Sequence, residues 1–205
     1  MSDSSRSTAD RVSQRAALPR LVGMLKWFLH RKLRAFETDF GYDASYMHDV
    51  LDTDFSAFLK FARATAIGRH KKHVPMDVYA AVGLTAVVAA DCGPCAQLAI
   101  TMALREGVSA TTLTRILRGN LEEMGEPVRV GVQFARAVIA RDGARADEAR
   151  AILEARYGKP GLITLGLALC AAQLYPTFKW AIGYGHACQR LQVEDVTITP
   201  QHAVA

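Results

Sequence analysis

Asp91 to Gly107, DCGPCAQLAITMALREG, is the stretch on which the reading of the chain turns. Cys92 and Cys95 lie two residues apart around Gly93-Pro94, after a nearly uncharged run, Val74 to Ala90, and at the start of a run with helical spacing. The first turn of a helix presents free backbone N–H groups and the positive end of its dipole, and both favour a thiolate over a thiol. A C-x-x-C pair there is the usual arrangement of a redox-active dithiol. Pro94 suits that first turn, where its missing N–H costs nothing. Counting from Cys92, positions 95, 98, 99 and 102 share one side, so Cys95 is expected to be the buried thiol and Cys92 the accessible one. Asp91 reads as the N-cap, although a carboxylate beside Cys92 opposes thiolate formation.

Working outward, Pro75 opens a helix that is apolar nearly all round, through Met76, Val78, Tyr79, Val82, Leu84, Val87 and Val88. A helix with no polar face is a buried helix. After the cysteines, Gly107 is a stop and Ser109 a cap for a helix carrying Leu113, Ile116 and Leu117. Pro127 starts another amphipathic helix that closes at Asp142-Gly143, and Asp147 to Tyr157 forms a shorter one ended by Gly158 and Pro160. Gly161 to Phe178 carries no charge, which touches the length of a membrane span. Gln173, Pro176, two threonines and several glycines argue instead for a buried helix kinked at Pro176. Val193 to Thr199 is strand-like, with no partner strand evident.

Upstream, Leu21, Leu25, Phe28, Leu29, Leu33 and Phe36 form one stripe, with Lys26, His30, Arg31 and Arg34 largely outside it. A basic amphipathic helix can lie on an anionic membrane surface, but packing on the chain's own core or on a second subunit is the reading taken. Asp52 or Thr53 is expected to cap the next helix, with Phe55, Phe58, Leu59, Ala62 and Ile67 on its apolar side. The cluster Arg69, His70, Lys71, Lys72, His73 reads as a solvated helix end; it lacks the aromatic interleaving of a nucleic-acid surface, and no nucleic-acid partner is expected.

With 205 residues, half of them hydrophobic, the chain is long enough for a sizeable core. Its net charge of +5 permits an acidic partner without demanding one. Four cysteines are too few for a disulfide scaffold, and only one pair has a suggestive spacing, which fits a reducing, cytoplasmic setting. MSDSSRSTADRVSQR has no apolar core of signal-peptide length and reads as a disordered tail. The expected organisation is a tail over 1–17, a helical extension over 18–74, a helical core over 75–186 and a tail over 187–205, all-α with short loops.

The cysteine pair admits other chemistry. Cys92, Cys95, His186 and Cys188 make a zinc ligand set on paper, but the one-residue gap in the second pair is tight and no metal is assigned. Ala96 stands where c-type haem attachment needs histidine. Cys170 reads as a small core residue. Gly93-Pro94 between two core cysteines without chemistry is a further alternative.

A buried helix feeding a C-x-x-C, a helix ending in REGVS, the segment FARAVIARDG and a final Gly/Leu-rich helix together resemble the carboxymuconolactone decarboxylase and alkylhydroperoxidase D-like superfamily, over about Pro75 to Gly185. The resemblance implies an all-helical fold, homo-oligomers, no cofactor, and an antioxidant dithiol, Cys92 and Cys95, that reduces peroxides or a disulfide partner with electrons from a thiol reductant or a redox partner protein. It also implies a histidine four residues after the second cysteine and a glutamate about twelve before the first, where this chain has Ala99 and Ala80. Such a relay supplies general acid–base help typically worth about 10²–10⁴ in rate. Asp91, Asp77, Tyr79 and His73 are the candidates to replace it or to line a pocket, although a helix-start acid and a core tyrosine are the plainer readings of Asp77 and Tyr79. The decarboxylase branch generally lacks the cysteine pair. Beside the oxidoreductase stands a second expectation, a non-catalytic helical oligomer of the same fold that binds a small ligand or a protein.

Overall fold

A computed structural model describes residues 4–186 and 190–200. Eight α-helices run in order: α1 Ser4–Phe40, α2 Ser45–Thr53, α3 Phe55–Ala64, α4 Met76–Ala89, α5 Gly93–Arg105, α6 Ala110–Arg118, α7 Glu126–Ala140 and α8 Gly143–Ala181. Two three-residue strands follow, β1 Leu191–Val193 and β2 Val196–Ile198. The all-α class holds. The chain divides into two compact units, Met1–Phe61 and Ala62–Ala205, with the division inside α3.

In the first unit α1 is already helical at Ser4, not only from Leu18. It turns back at Gly41 onto α2, and the stripe facing α2 differs from the one expected. Leu29, Leu33 and Phe36 are half-buried, whereas Leu21, Leu25 and Phe28 are exposed. Phe36 packs against Phe40 with the rings tilted and meets Tyr42 edge-on, and Tyr42, Tyr46, Met47 and Leu51 are buried. Lys26, His30 and Glu37 point towards α2 because it offers them partners. His30 Nε2 lies 2.9 Å from Asp52 Oδ1, Glu37 Oε1 accepts from the Ala44 N–H, and Lys26 Nζ donates to the Asp52 carbonyl. The hydrogen bond from His30 holds the Asp52 carboxyl below its usual range. α3 is capped by Asp54, whose Oδ1 accepts from the Ala57 N–H at 2.9 Å, not by Asp52 or Thr53.

The second unit is built on α4. Its sequence has no polar face, so both sides are buried, and they serve different neighbours. Ala80, Leu84, Val87 and Val88 join a cluster with Ile100 of α5, Leu113 and Leu117 of α6, and the strands. Val78, Val82 and Ala86, spaced four apart, join Val130 and Phe134 of α7 and Leu153, Leu165 and Leu169 of α8. Each valine, leucine or isoleucine among them contributes about 1.5–3 kcal/mol when taken fully out of water.

The connections follow local chemistry. Gly107, at φ +89°, ends α5 with its N–H on the Leu104 carbonyl. Ser109 Oγ accepts from the Thr112 N–H at the head of α6, as its position predicts. Asp142 Oδ1 accepts from the Arg145 N–H to cap α8. α8 is two helices joined at Gly158, whose φ of 66° and ψ of 178° belong to a region that only glycine enters readily, so the break expected at Gly158-Pro160 is present. Beyond it the helix continues through Pro176 without a non-helical residue, where a kink was expected. By length and composition α8 is also apolar enough to cross a membrane. Cys170, expected in the core, is exposed: Leu165, Ala168 and Leu169 face inward, and position 170 is on the far side of the helix.

Gly158→Ala should lower stability by about 1–3 kcal/mol, since alanine must occupy or abandon that backbone conformation. The expected readout is a lower urea midpoint with an unchanged slope; an unaltered midpoint would mean that the α8 junction relaxes freely.

Candidate functional site

The cysteines sit where α4 turns into α5. Ala90 closes α4, Asp91 takes a left-handed conformation at φ +48°, and Cys92, at φ −118°, is the N-cap of α5. Asp91 is therefore the turn residue and not the cap; its N–H reaches the Val88 carbonyl at 3.0 Å, and aspartate is among the few side chains that tolerate this backbone region. Pro94 lies in the first turn of α5 as expected. Cys92 and Cys95 bring their sulfurs to bonding distance, with Cα atoms 5.3 Å apart, inside the range that a disulfide spans.

The expected difference in accessibility is absent, because Cys95 is buried as expected and Cys92 is buried too. Cys92 is 0% exposed and Cys95 7%. The cause is a segment about ninety-five residues away in sequence. The Gly93 N–H donates to the His186 carbonyl at 3.1 Å, so the chain leaving α8 passes over the first residue of α5. The strand-like piece after it finds a partner within itself, because Glu194-Asp195 folds it into an antiparallel hairpin pairing Leu191 with Ile198 and Val193 with Val196. Leu191, Val193 and Ile198 turn into the cluster that holds Cys92 and Cys95. Gln97, half a turn beyond Cys95, grips β1 with both ends of its amide: Nε2 donates to the Gln192 carbonyl at 2.9 Å and Oε1 accepts from the Gln192 N–H at 2.8 Å.

The surroundings of the pair are apolar. Ala80 is buried in the same cluster and Ala99 packs against it, so both positions at which the resemblance implies a relay carry methyl groups. Thr85, Thr164 and Lys179 are the buried polar residues among those described, and none belongs to this cluster. A reduced dithiol here feels two opposed influences, the helix N-terminus that favours a thiolate and an apolar shell that disfavours it.

The remaining candidates lie elsewhere. Asp77 is exposed in the first turn of α4, about 18 Å along the helix axis from Ala89. Tyr79 donates its hydroxyl to the Gly68 carbonyl at 2.8 Å and ties α4 to the short 3-10 helix Thr65–Arg69. Burial, reinforced by Glu106, pushes its phenol up to about 12. Lys71 lies over the Tyr79 ring, 5.5 Å from its centroid, and pairs with Glu106, which accounts for one member of the basic cluster. His73 is exposed at φ +68° in the loop before α4, with its ring 6.3 Å from that of His70. The histidine that the fold does bring to the cysteine turn is His186, which figured in the sequence only as a zinc ligand. Nothing in the local sequence marks it; only the path of the chain after α8 does. Of the rest of that zinc set, Cys92 and Cys95 are joined and Cys188 lies outside the described residues. No protein-family model, curated protein or solved structure matches this chain.

Two outcomes follow from this geometry. The two Gln97 bonds hold β1 with about 1–2 kcal/mol in total, so Gln97→Ala should raise the population of the uncovered disulfide roughly fivefold to thirtyfold. Its reduction by dithiothreitol under native conditions, read as mass after alkylation, should accelerate accordingly; an unchanged rate would show that the hairpin does not control access. The second concerns Tyr79. Its phenol keeps its proton in the folded chain above the ordinary value near 10, so its contribution is complete below pH 10 and is lost as pH rises towards 12. The Tyr175 phenol is raised too, chiefly by burial, so Tyr79→Phe should lessen the alkaline loss of stability without abolishing it. Urea midpoints across that range test this.

Proposed function

We propose that the chain is a thiol–disulfide oxidoreductase of alkylhydroperoxidase type, working in the reducing cytoplasm as a homo-oligomer. The observation that carries this reading is the Cys92–Cys95 pair at bonding distance across the N-terminus of α5, in a mainly helical unit. In the reductive direction one cysteine sulfur attacks the peroxide, the O–O bond breaks, an alcohol leaves, and a sulfenic acid forms. The second sulfur displaces water from it and closes the disulfide. Two electrons pass from the dithiol to the peroxide, and a thiol reductant or a redox partner protein returns them by disulfide exchange. With Ala80 and Ala99 at the relay positions, the general acid must come from another group, and His186, whose backbone carbonyl is held against Gly93 and whose side chain is on the exposed side, is the candidate.

The burial of both sulfurs in an apolar cluster favours a second reading, a helical oligomer that binds a small ligand or protein and keeps the disulfide as a brace. A thiol redox titration separates the two. Across a dithiothreitol series, the oxidoreductase loses and regains two alkylatable thiols in one reversible step near the potential of cytosolic redox proteins, and Cys92→Ser or Cys95→Ser abolishes that step. Thiols that remain alkylatable in oxidising buffer overturn the redox reading. A disulfide that resists reduction until the chain unfolds supports the brace.

A further inference from the structure

The face of α1 turned away from α2 has an unusual composition. Met24 is 65% exposed, Trp27 60% and Leu21 58%, with Leu25 and Phe28 also exposed. At spacings of three and four residues, Leu21, Met24, Leu25 and Phe28 form a continuous strip on the helix surface, and Trp27 flanks it. One turn further on, the exposed residues are Arg31, Lys32 and Arg34, and Lys32 Nζ lies 5.3 Å from the Phe28 ring centroid. From Arg11 to Phe36 the sequence contains seven lysines and arginines and no aspartate or glutamate.

This charge pattern selects the occupant. A second copy laid parallel on the same strip would set arginines and lysines against their own kind, and laid antiparallel it would set them against the apolar residues, with no carboxylate in the stretch to offset them. The partner must therefore be anionic. A nucleic acid would answer the charge but leave five large apolar side chains against phosphates and sugars, whereas an anionic lipid surface takes both parts. It receives hydrocarbon, with an indole at the interface, and places headgroup phosphates against the guanidinium and ammonium groups. We propose that the outward face of α1, from Leu21 to Arg34, docks flat on an anionic lipid bilayer.

The test is co-sedimentation of the full chain with phosphatidylcholine vesicles, with and without phosphatidylserine, together with tryptophan emission in a Trp180→Phe background that leaves Trp27 as the reporter. The expected result is binding to the serine-containing vesicles, a blue shift of Trp27, and release when salt is raised from about 0.15 M to about 1 M. Phe28→Asp should abolish the blue shift. The triple reversal Arg31→Glu, Lys32→Glu, Arg34→Glu should weaken binding at least tenfold, since each basic residue near an anionic surface is worth about a fivefold change. All of these positions are exposed, and unchanged urea midpoints verify that the variants fold. Equal binding to neutral and anionic vesicles, no binding to either, a concentration-dependent dimer that Leu25→Asp dissociates, or tighter binding to duplex DNA than to vesicles each overturns the proposal.

Discussion

The second unit depends on one constraint: α4 has no side that can face water. Its two rows of small and branched side chains must both be covered, and the chain meets this by building a separate cluster on each. α7 and α8 close over Val78, Val82 and Ala86, while α5, α6 and the strands close over Ala80, Leu84, Val87 and Val88. The turn that carries Cys92 belongs to the second of these clusters, because α5 leaves α4 there to help cover it. The cysteines inherit their burial from this requirement, and so does the apolar character of everything around them. A glutamate at position 80 or a histidine at 99 would sit in or against a cluster that offers it no buried polar partner, a costly placement.

Most of the helical frame is legible in the sequence because its determinants are local. The all-round apolarity of Met76 to Val88, the stop at Gly107, the cap at Ser109 and the break at Gly158 each depend on a few neighbouring residues, and each is found where the pattern puts it. The unreadable parts depend on distant segments. Spacing placed Cys95 on the inner side of α5, but spacing says nothing about a hairpin that closes over Cys92 as well. Asp91 has the composition of a cap, and only the tightness of the turn assigns it to the left-handed region. On α1 the error has another origin. An apolar stripe and a basic stripe both have helical period, and the choice between them turned on α2, whose Asp52 draws in Lys26 and His30 and leaves Leu21, Leu25 and Phe28 outside.

The two units thus carry different kinds of unusual surface. In one, a cysteine pair is sealed under hydrocarbon. In the other, hydrocarbon and cationic groups lie open where a soluble helix would normally alternate charges. The two features share no residue: the cysteine cluster lies wholly within Ala62–Ala205 and the basic strip within Met1–Phe61.

The hairpin has a consequence in time as well as in space. Gln97 and Gln192, which join it to α5, are separated by 95 residues of chain. At a ribosomal rate of about 5–20 residues per second, roughly 5–20 s pass between the synthesis of the cysteine turn and that of its cover. For that interval α4 and α5 can pair while β1 does not yet exist, and the side of their turn that the hairpin covers is open. The burial of both sulfurs is therefore among the last features the growing chain acquires, since it waits on residues nearly a hundred positions downstream.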